Sequence, residues 1–565
     1  MRHDLLILFF ILLSSALMAD EHSNEAPSFK VQGIVTDEKG EGLPGASVWV
    51  KGTVVGAGTN AKGEFSFKLS SKNRCVLRVS FTGYEPQERE VTPGVDSLYH
   101  FVLEPSNNAL NEVVITGTRT LKPLKDVPVL TRVISSEDIA QVNPLDLQSL
   151  LEYEMPGLQF GLAHGSGLPE LKFQGSAGGY VLFMIDGERV AGEGSSNNID
   201  YNLIDMDNVE RIEIVKGPMS TLYGSQAMGG VVNIITKDAN RPFTGNVSVR
   251  YGNNDESKYS LSLGTKQGRF SALTSLSYRK RDAYALKDKE GQIEYSYYKD
   301  IYGRDSVVAD TSEKGMSSVN GFEIWQANQK LSYTFNENFR ISLNGTYYNN
   351  DVLEYVEQKE QDRFSNYSIN PRVYYAINDS HILDFSYVFE NYEKRYVYTT
   401  SLPSKKVFGD LTNTVRLNYT GYIHEKHTLT AGIEVNTQKL QHYWFDNGSG
   451  KKFDAQTYVL YLQEDYKVSD SFSVLAGVRS DCHSKYSFHA SPKISLMYKY
   501  GVLTLRGGYG MGFRIPSLKE LHSEYDMGGQ GFFMIYGNED LEPEISHQGT
   551  FSAEVTKGIF NGSVS

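Results

Sequence analysis

A regular alternation of apolar and polar residues runs from Asn246 to the end of the chain. It is clearest in residues 339–348, 383–390 and 427–436, where every second side chain is largely apolar. The length of these segments is close to the roughly 9–11 residues of a tilted membrane strand. A charge that faces lipid at mid-bilayer costs about 2–4 kcal/mol, so the polar side chains are expected to face a lumen. The alternation predicts a transmembrane antiparallel β-barrel.

Turns of two unequal lengths separate these strands. Short turns at 336–338 and 377–379 contrast with long polar stretches at 281–321, 350–364 and 441–453. Short turns at one end and long loops at the other are typical of an outer-membrane barrel. A soluble β-sandwich or an adhesin is the alternative on this pattern alone.

The start of the chain predicts export. Arg2 precedes the apolar run Leu5–Leu13, and small residues follow as far as Ala16 and Ala19, either of which could precede a cleavage site. This is the pattern of a secretory signal peptide, here over residues 1–19. A membrane anchor is the alternative, but the run is short of the roughly 20 residues that a spanning helix needs.

Charge and motif spacing exclude several classes of function. The net charge of −13 argues against a nucleic-acid partner, and Cys75 and Cys482 are too few for a disulfide framework. The run 424–427, His-Glu-Lys-His, lacks the spacing of a helical zinc site. Gly224 and Gly229 have the spacing of a phosphate loop, but Gly-Val follows instead of Lys-Ser/Thr. We therefore expect neither an enzyme nor a resident cofactor or metal.

Short alternating strands and turn residues fill residues 29–105, which predicts a small β-sandwich. The segments 33–37, 43–48, 63–65 and 79–84 also make it resemble the carboxypeptidase-regulatory-like domain. That resemblance implies a binding or spacer module rather than a peptidase.

A mixed region follows as far as about Lys237. Residues 127–134 predict a strand, and Ser135 and Ser136 ahead of Glu-Asp predict a helix start. A second helix is expected from Asn143-Pro144, and buried strands are expected at 180–185, 209–215 and 230–236. This region predicts a small α+β domain.

The segment 209–236 resembles the plug signature of TonB-dependent receptors almost end to end. Residues 185–187 and 156–158 match plug elements upstream, and 512–521 and 537–544 resemble two paired boxes of the barrel. The residues of the plug signature that we single out are Arg211, Glu213, Gly217, Pro218, Tyr223, Gly224, Gly229 and Gly230. Its glycines are expected to permit positive φ and close backbone approach.

The resemblance implies a mainly β protein with a fixed order of parts. After the sandwich come a linker over 106–122, a plug domain over 123–238 and a barrel over 245–565. We count about 14 or 15 candidate barrel strands, whereas the family has 22, and the last residues lack a terminal aromatic. An open sheet in lipid would leave unpaired backbone groups, so the sequence is expected to be incomplete.

Within the linker, Glu112, Val113, Val114, Ile115 and Thr116 resemble the TonB box, which the energising complex of the inner membrane grips. An extended segment with free backbone groups suits strand addition to a partner. An ordinary strand that leads into the plug is the alternative, and the position just ahead of a plug favours the box.

The resemblance implies active import across the outer membrane, with the TonB complex, membrane lipid and a small metal chelate as partners and a surface lipoprotein as a further candidate. His164 in a plug loop and His522 between the two boxes resemble the histidine pair of haem receptors, but an exposed polar role for both is the interpretation that we favour. The plug signature differs from that of glycan importers, which favours an iron chelate, haem or cobalamin. An oligosaccharide importer, a signal-transducing receptor and an adhesin are the other readings.

Overall fold

The computed structural model describes residues 29–565 except for a set of short segments. These segments are 52, 54, 61, 70–73, 82–83, 85, 93–97, 105–112, 156–157, 163–168, 174–175, 193–198, 286–293, 300–304, 311–317, 355–359, 399–401, 425, 527–532 and 558–559. The predicted signal peptide, Glu112 and His164 therefore lie outside the described residues.

Seven strands form the predicted N-terminal sandwich. They are β1 Phe29–Asp37, β2 Ser47–Val50, β3 Gly56–Gly58, β4 Glu64–Leu69, β5 Cys75–Ser80, β6 Gln87–Val91 and β7 Tyr99–Leu103. One sheet has the order β4-β1-β7 and the other the order β3-β2-β5-β6. Every second residue of β4 is buried, because successive side chains of a strand point to opposite faces. Val31 and Phe101 of one sheet and Val48 and Leu77 of the other share a single apolar core.

The plug is built from short strands and helices. Its strands, with the two that precede it, are β8 Val113–Val114, β9 Lys122–Pro123, β10 Thr131–Ile134, β11 Leu158–Leu162, β12 Pro169–Phe173, β13 Ser176–Ala177, β14 Val181–Ile185, β15 Glu188–Arg189, β16 Val209–Lys216 and β17 Gly230–Thr236. Its helices are α1 Ser136–Val142, α2 Leu147–Glu154 and α3 Ser220–Tyr223, with 3-10 turns at Leu124–Asp126, Gly178–Tyr180, Tyr201–Leu203 and Met206–Asn208. The central sheet has the order β10-β16-β17-β14-β15, and only β14 and β17 are parallel within it.

The plug helices begin where local hydrogen bonds allow. Ser135 caps α1 in a capping box with Asp138, as the sequence predicted. α2 begins at Leu147 rather than at Pro144, because the Asp146 side chain accepts the Ser149 N–H. The strand predicted over 127–134 is shorter than expected and begins at Thr131. Pro128 has no N–H to donate to a sheet, which disfavours an earlier start.

The second half of the chain forms strands and one short helix, α4 Leu518–His522. The strands are β18 Thr244–Tyr251, β19 Ser257–Gln267, β20 Phe270–Arg281, β21 Tyr284–Ala285, β22 Glu294–Lys299, β23 Asp305–Asp310, β24 Ser318–Val319, β25 Gly321–Asn336, β26 Phe339–Leu353, β27 Glu360–Asn378, β28 His381–Tyr398, β29 Lys405–Ile423, β30 His427–His442, β31 Lys452–Lys467, β32 Phe472–His483, β33 Ser487–Tyr500, β34 Leu503–Arg514, β35 Glu524–Asp526, β36 Met534–Tyr536, β37 Glu544–Lys557 and β38 Phe560–Val564. A further 3-10 turn spans Asp446–Gly448.

Fifteen of these strands form one antiparallel sheet, which confirms the predicted 14 or 15. Its order is β18-β19-β20-β25-β26-β27-β28-β29-β30-β31-β32-β33-β34-β37-β38. Within the described residues, β18 and β38 are not paired with each other. Short turns join the strands at one end, and the long connections lie at the other. The strands extend into the predicted loop at 350–364, since β26 continues to Leu353 and β27 begins at Glu360.

The two faces of the sheet differ as the alternation predicts. Ile341, Leu343 and Ile433 are outward and exposed, whereas Ser386 and Thr430 are buried. Some of the buried polar side chains of the sheet contact the plug: the Ser275 hydroxyl donates to the Asn208 side-chain oxygen at 3.2 Å, and the Gln463 amide donates to the Thr118 carbonyl oxygen at 2.8 Å. The interface between plug and sheet therefore contains many polar contacts. Among the described residues, no helix is both long and apolar enough to cross a membrane.

Candidate functional site

The plug signature folds back on itself as β16, α3 and β17. β16 pairs with β17 from Val209 opposite Thr236 to Lys216 opposite Gly230. Gly217, Gly224 and Gly230 have φ values of +93°, +77° and +153°. At Gly229 the constraint is space, because a Cβ there would lie 3.2 Å from the Tyr180 carbonyl oxygen. The signature therefore forms a compact turn that side chains larger than hydrogen would disturb.

Helix α3 docks on the inner face of the barrel. The Thr221 hydroxyl donates to the Ser491 carbonyl oxygen on β33 at 2.9 Å. The backbone N–H of Phe513 on β34 donates to the Ser220 hydroxyl at 3.3 Å. Pro218 lies against Gly510, where a Cβ would come within 2.9 Å of its ring. The plug signature thus also contacts two neighbouring barrel strands, β33 and β34.

Glu213 joins the predicted TonB box to the plug. Its side chain is fully buried on β16, and its Oε2 accepts the backbone N–H groups of Ile115 and Thr116 at 3.0 and 2.8 Å. The Thr116 hydroxyl donates to the same oxygen at 2.7 Å. The Arg211 guanidinium pairs with the other oxygen, Oε1, which lies 2.9 Å from Nε and 2.8 Å from Nη2. Two residues that the sequence singled out thus form one ion pair, and the end of the box is attached to it.

Tyr223 and Arg119 continue this contact toward the barrel. The Tyr223 hydroxyl donates to the Thr116 carbonyl oxygen at 2.9 Å, and burial raises the pKa of that phenol to about 12. Arg119 lies between the rings of Tyr223 and Tyr461, 4.9 and 4.6 Å from their centroids. Its guanidinium donates to the Tyr461 hydroxyl and to the Leu222 carbonyl oxygen, both at 2.6 Å. The segment after the box is therefore bound to α3 and to β31 together.

Two further contacts fix this segment to β31. The Gln463 side chain donates to the Thr118 carbonyl oxygen at 2.8 Å. Lys122 forms an ion pair with Asp465. Residues 461, 463 and 465 are alternate positions of one strand, so they share the lumen face.

A charge cluster on the lumen wall lies beside the same helix. Arg479 pairs with Asp481 at 2.9 Å and Glu434 at 3.5 Å, and it donates to the Leu222 carbonyl oxygen at 3.2 Å. Arg416 pairs with Glu434 at 2.7 Å and with Glu188 of the plug at 2.9 Å. The cluster therefore spans three barrel strands and two parts of the plug.

Other ion pairs hold the rest of the plug. Asp186 accepts the Thr236 N–H at 2.9 Å and pairs with Lys330 of β25 at 3.2 Å. Lys258 of β19 pairs with Asp205 at 2.8 Å and with Asp207 at 2.9 Å. Charged side chains of the sheet thus hold the plug at two further places.

The Lys258 contact gives a pH-dependent prediction. Burial alone would raise the pKa of Asp207, but Lys258 and the Ser260 hydroxyl hold it below its ordinary value of 3.8. A lowered pKa contributes stability that is present above pH 3.8 and is lost as the pH falls through the folded-state value. Lys258→Met is expected to destabilise plug docking by about 3 kcal/mol at pH 7, because it leaves two largely buried carboxylates without their cation.

Urea unfolding of the plug at pH 7 and at pH 3 checks this expectation. The difference between the native protein and Lys258→Met should shrink at pH 3. Lys280→Met is the matched control, since Lys280 pairs with Asp282 at a surface where both side chains are at least 36% exposed. An equal loss at both pH values would contradict the role given to Asp207.

The structure describes only one of the two histidines that were predicted to bind the ligand, His522. His522, on α4, donates from Nδ1 to the Glu539 carboxylate at 2.9 Å and stacks on Phe453 with ring centroids 3.9 Å apart. His164 lies outside the described residues, so the pair remains a prediction. The two barrel boxes do meet, because Arg514 of the first pairs with Glu520 at 2.9 Å and with Glu544 of the second.

The plug has a sheet and an apolar core of its own, and it contacts barrel strands from β19 to β34. This arrangement defines a class of protein, a β-barrel that contains a plug domain. Residues 276–565, just over half of the chain, match the family described as TonB dependent receptor-like, beta-barrel. Residues 123–231 match the TonB-dependent Receptor Plug Domain, and 31–115 match the CarboxypepD_reg-like domain. The chain belongs to the TonB-dependent receptor family, which confirms the resemblance found in the sequence and its place in the outer membrane.

The chain is similar to several named proteins. The iron-regulated outer membrane virulence protein of Vibrio cholerae is 25% identical over 459 residues, which cover 77% of this chain and 64% of the relative. The vitamin B12 transporter of Vibrio vulnificus is 25% identical over 451 residues, which cover 78% of this chain and 68% of the transporter. The chain thus spans less than two thirds of the length of the Vibrio cholerae relative. The solved ferric enterobactin receptor of Pseudomonas aeruginosa matches the fold with a TM-score of 0.63 at 20% identity, over 77% of this chain and 70% of that one.

Sequence reasoning did not single out Asn233, although a signal was present. Asn233 is the one polar residue within the apolar run 231–235, and it is buried. Its side-chain amide donates to the Thr116 hydroxyl at 2.9 Å. A buried polar side chain in an apolar strand requires partners. Here one partner is the predicted box, and the other is the Gly187 N–H, which donates to the Asn233 side-chain oxygen at 3.1 Å.

Proposed function

We propose that this protein imports a scarce nutrient, an iron chelate, haem or cobalamin, across the outer membrane with energy supplied by the TonB complex. The observation that supports this most directly is the hydrogen bonding of residues 115–116 to Glu213. It attaches the end of the predicted box to the plug, while Val113 and Val114 of the box form a short extended strand, β8. Such a strand can be taken over by a partner through backbone pairing.

In this mechanism the ligand binds at the end of the barrel that carries the long loops. The TonB complex pairs with residues 112–116 and pulls. Because the box connects to α3 and to the barrel wall, a pull on it acts on the contacts that close the lumen. No catalytic step is proposed for any residue, and the family consists of receptors and transporters.

The names of similar proteins support the choice of ligand class. They include an iron-regulated protein, a vitamin B12 transporter and a ferric enterobactin receptor. A surface lipoprotein stays a candidate partner, and the haem ligation by His164 and His522 stays a candidate within this class.

Removal of residues 112–116 from the full receptor is expected to abolish uptake of radiolabelled ferric enterobactin, haem or cyanocobalamin, whichever the native protein imports. Binding of the same probe to cells should persist, since the box lies away from the long loops. A deletion of equal length, 106–110, shortens the same linker but keeps the box and should leave uptake intact. Normal uptake without the box would refute the mechanism, and adhesion without uptake by the native protein would favour an adhesin.

A further inference from the structure

Among the described residues of the predicted box, Thr116 makes the most hydrogen bonds to the plug. It is fully buried, and its N–H, its hydroxyl and its carbonyl oxygen all have partners in the plug. The partners are Glu213 of β16, Tyr223 of α3 and Asn233 of β17. Three separate elements of the plug signature therefore converge on one residue of the box.

Glu213 contributes more of this binding than any other of these groups. One of its oxygens, Oε2, accepts three hydrogen bonds from residues 115 and 116. Arg211 occupies the other oxygen and fixes the orientation of the carboxylate. Hydrogen bonds to an ionised acceptor are about twice as strong as neutral ones, and this acceptor is out of water.

The remainder of the described box is held by fewer polar contacts. Val113 and Val114 pair with Pro123 and Lys122 in a two-residue ladder. The Val114 side chain is buried in the same apolar cluster as Met219 and Leu222. A ladder this short is only marginally stable by itself. The position of the box therefore depends on the hydrogen bonds that residues 115–116 make to the plug.

We propose that Glu213 is the latch of the TonB box: its Oε2 holds Ile115 and Thr116 on the plug, and the box becomes accessible when these bonds break. Glu213 is thus a positioning residue that sets how often the box is available to its partner. This inference rests on the proposed function for the meaning of the box, but the latch itself is a structural claim that needs no transport assay.

Spin labelling of the box tests the latch in the full receptor in lipid vesicles. The label is placed at Val113→Cys, with Cys75→Ser and Cys482→Ser removing the two native thiols. Glu213→Gln keeps the size of the side chain but removes its charge. It is expected to raise the population with a mobile label about tenfold or more, because charge-assisted bonds are lost at a buried site.

Three further variants make the result specific. Glu213→Asp keeps the negative charge on a side chain that is shorter by one methylene. Its immobile population should therefore lie between those of Glu213→Gln and the native protein. Thr116→Val is isosteric, leaves the plug core intact and should raise the mobile population several-fold even if Glu213→Gln does not fold. Glu210→Gln makes the same chemical change on the same strand, where no described hydrogen bond joins residue 210 to the box, and should change nothing.

The latch is overturned if the label stays as immobile in Glu213→Gln and Thr116→Val as in the native protein, or if Glu210→Gln frees it equally. Binding of the purified periplasmic domain of TonB to the vesicles should rise in parallel with label mobility. A mobile box that no longer matters for uptake would instead overturn the proposed function and leave the latch standing.

Discussion

Arg479→Ala is expected to loosen the plug more than any other single change on the barrel wall. The Arg479 side chain is 4% exposed, and it neutralises Asp481 and Glu434, which are 3% and 12% exposed. Truncation leaves two buried carboxylates with one cation fewer. Breaking a buried ion pair from one side costs about 3–5 kcal/mol, which corresponds to a change of more than a hundredfold in the docked fraction.

The effect should appear first at helix α3. The guanidinium donates to the Leu222 carbonyl oxygen and lies against Gly224, where a Cβ would come within 2.7 Å of it. Limited proteolysis of the receptor in membranes is the measurement, with cleavage near residues 217–224 as the readout. We expect cleavage there to become much faster in Arg479→Ala, while barrel strands remain resistant.

Two variants separate charge from geometry. Arg479→Lys keeps the charge but cannot bond Asp481 and the Leu222 carbonyl oxygen with one planar group, so an intermediate effect is expected. Arg395→Ala removes a more exposed arginine, 38% accessible, that pairs with Glu393, and it should change cleavage very little. If Arg479→Ala and Arg395→Ala behaved alike, the cluster would have no special part in closing the lumen.

The architecture could be predicted because its signals are local. Alternation with a period of two follows from strand geometry, so the barrel strands and their number were visible in the sequence. The start of α1 was visible in the sequence because Ser135 and Asp138 are three residues apart, which is the spacing of a capping box at the beginning of a helix. The sandwich was visible for the same reason as the barrel, since β4 alternates without interruption.

The contacts of the candidate site could not be predicted because their partners are far apart in the chain. Thr116 and Glu213 are separated by 97 positions, and Arg479 and Leu222 by 257. Lumen-facing charges such as Glu434 look the same in the sequence as any polar residue of an alternating strand. Only the family resemblance singled out Glu213 and Tyr223, and it gave no partner for either.

The second large effect is expected at the junction of β16 and β17, where Gly230→Ala should destabilise the plug by about 3 kcal/mol or more. Gly230 has φ +153°, and a Cβ there would lie 2.5 Å from the Val215 carbonyl oxygen. That oxygen belongs to the backbone of the adjacent strand, so it can move only if the pairing of the two strands changes. The same pairing carries Glu213 and Asn233, which contact the box.

Hydrogen exchange at the amides of β16 and β17 measures this change directly, since protection reports the free energy of local opening. Gly187→Ala separates conformational strain from collision, because Gly187 has φ +85° and open space around its Cβ position. It should cost about 1–2 kcal/mol, the strain of a left-handed residue alone. Gly549→Ala, which has neither the positive φ nor a close neighbour, should leave exchange unchanged. If Gly230→Ala lost no more protection than Gly187→Ala, the collision with Val215 would not be what requires glycine at this position.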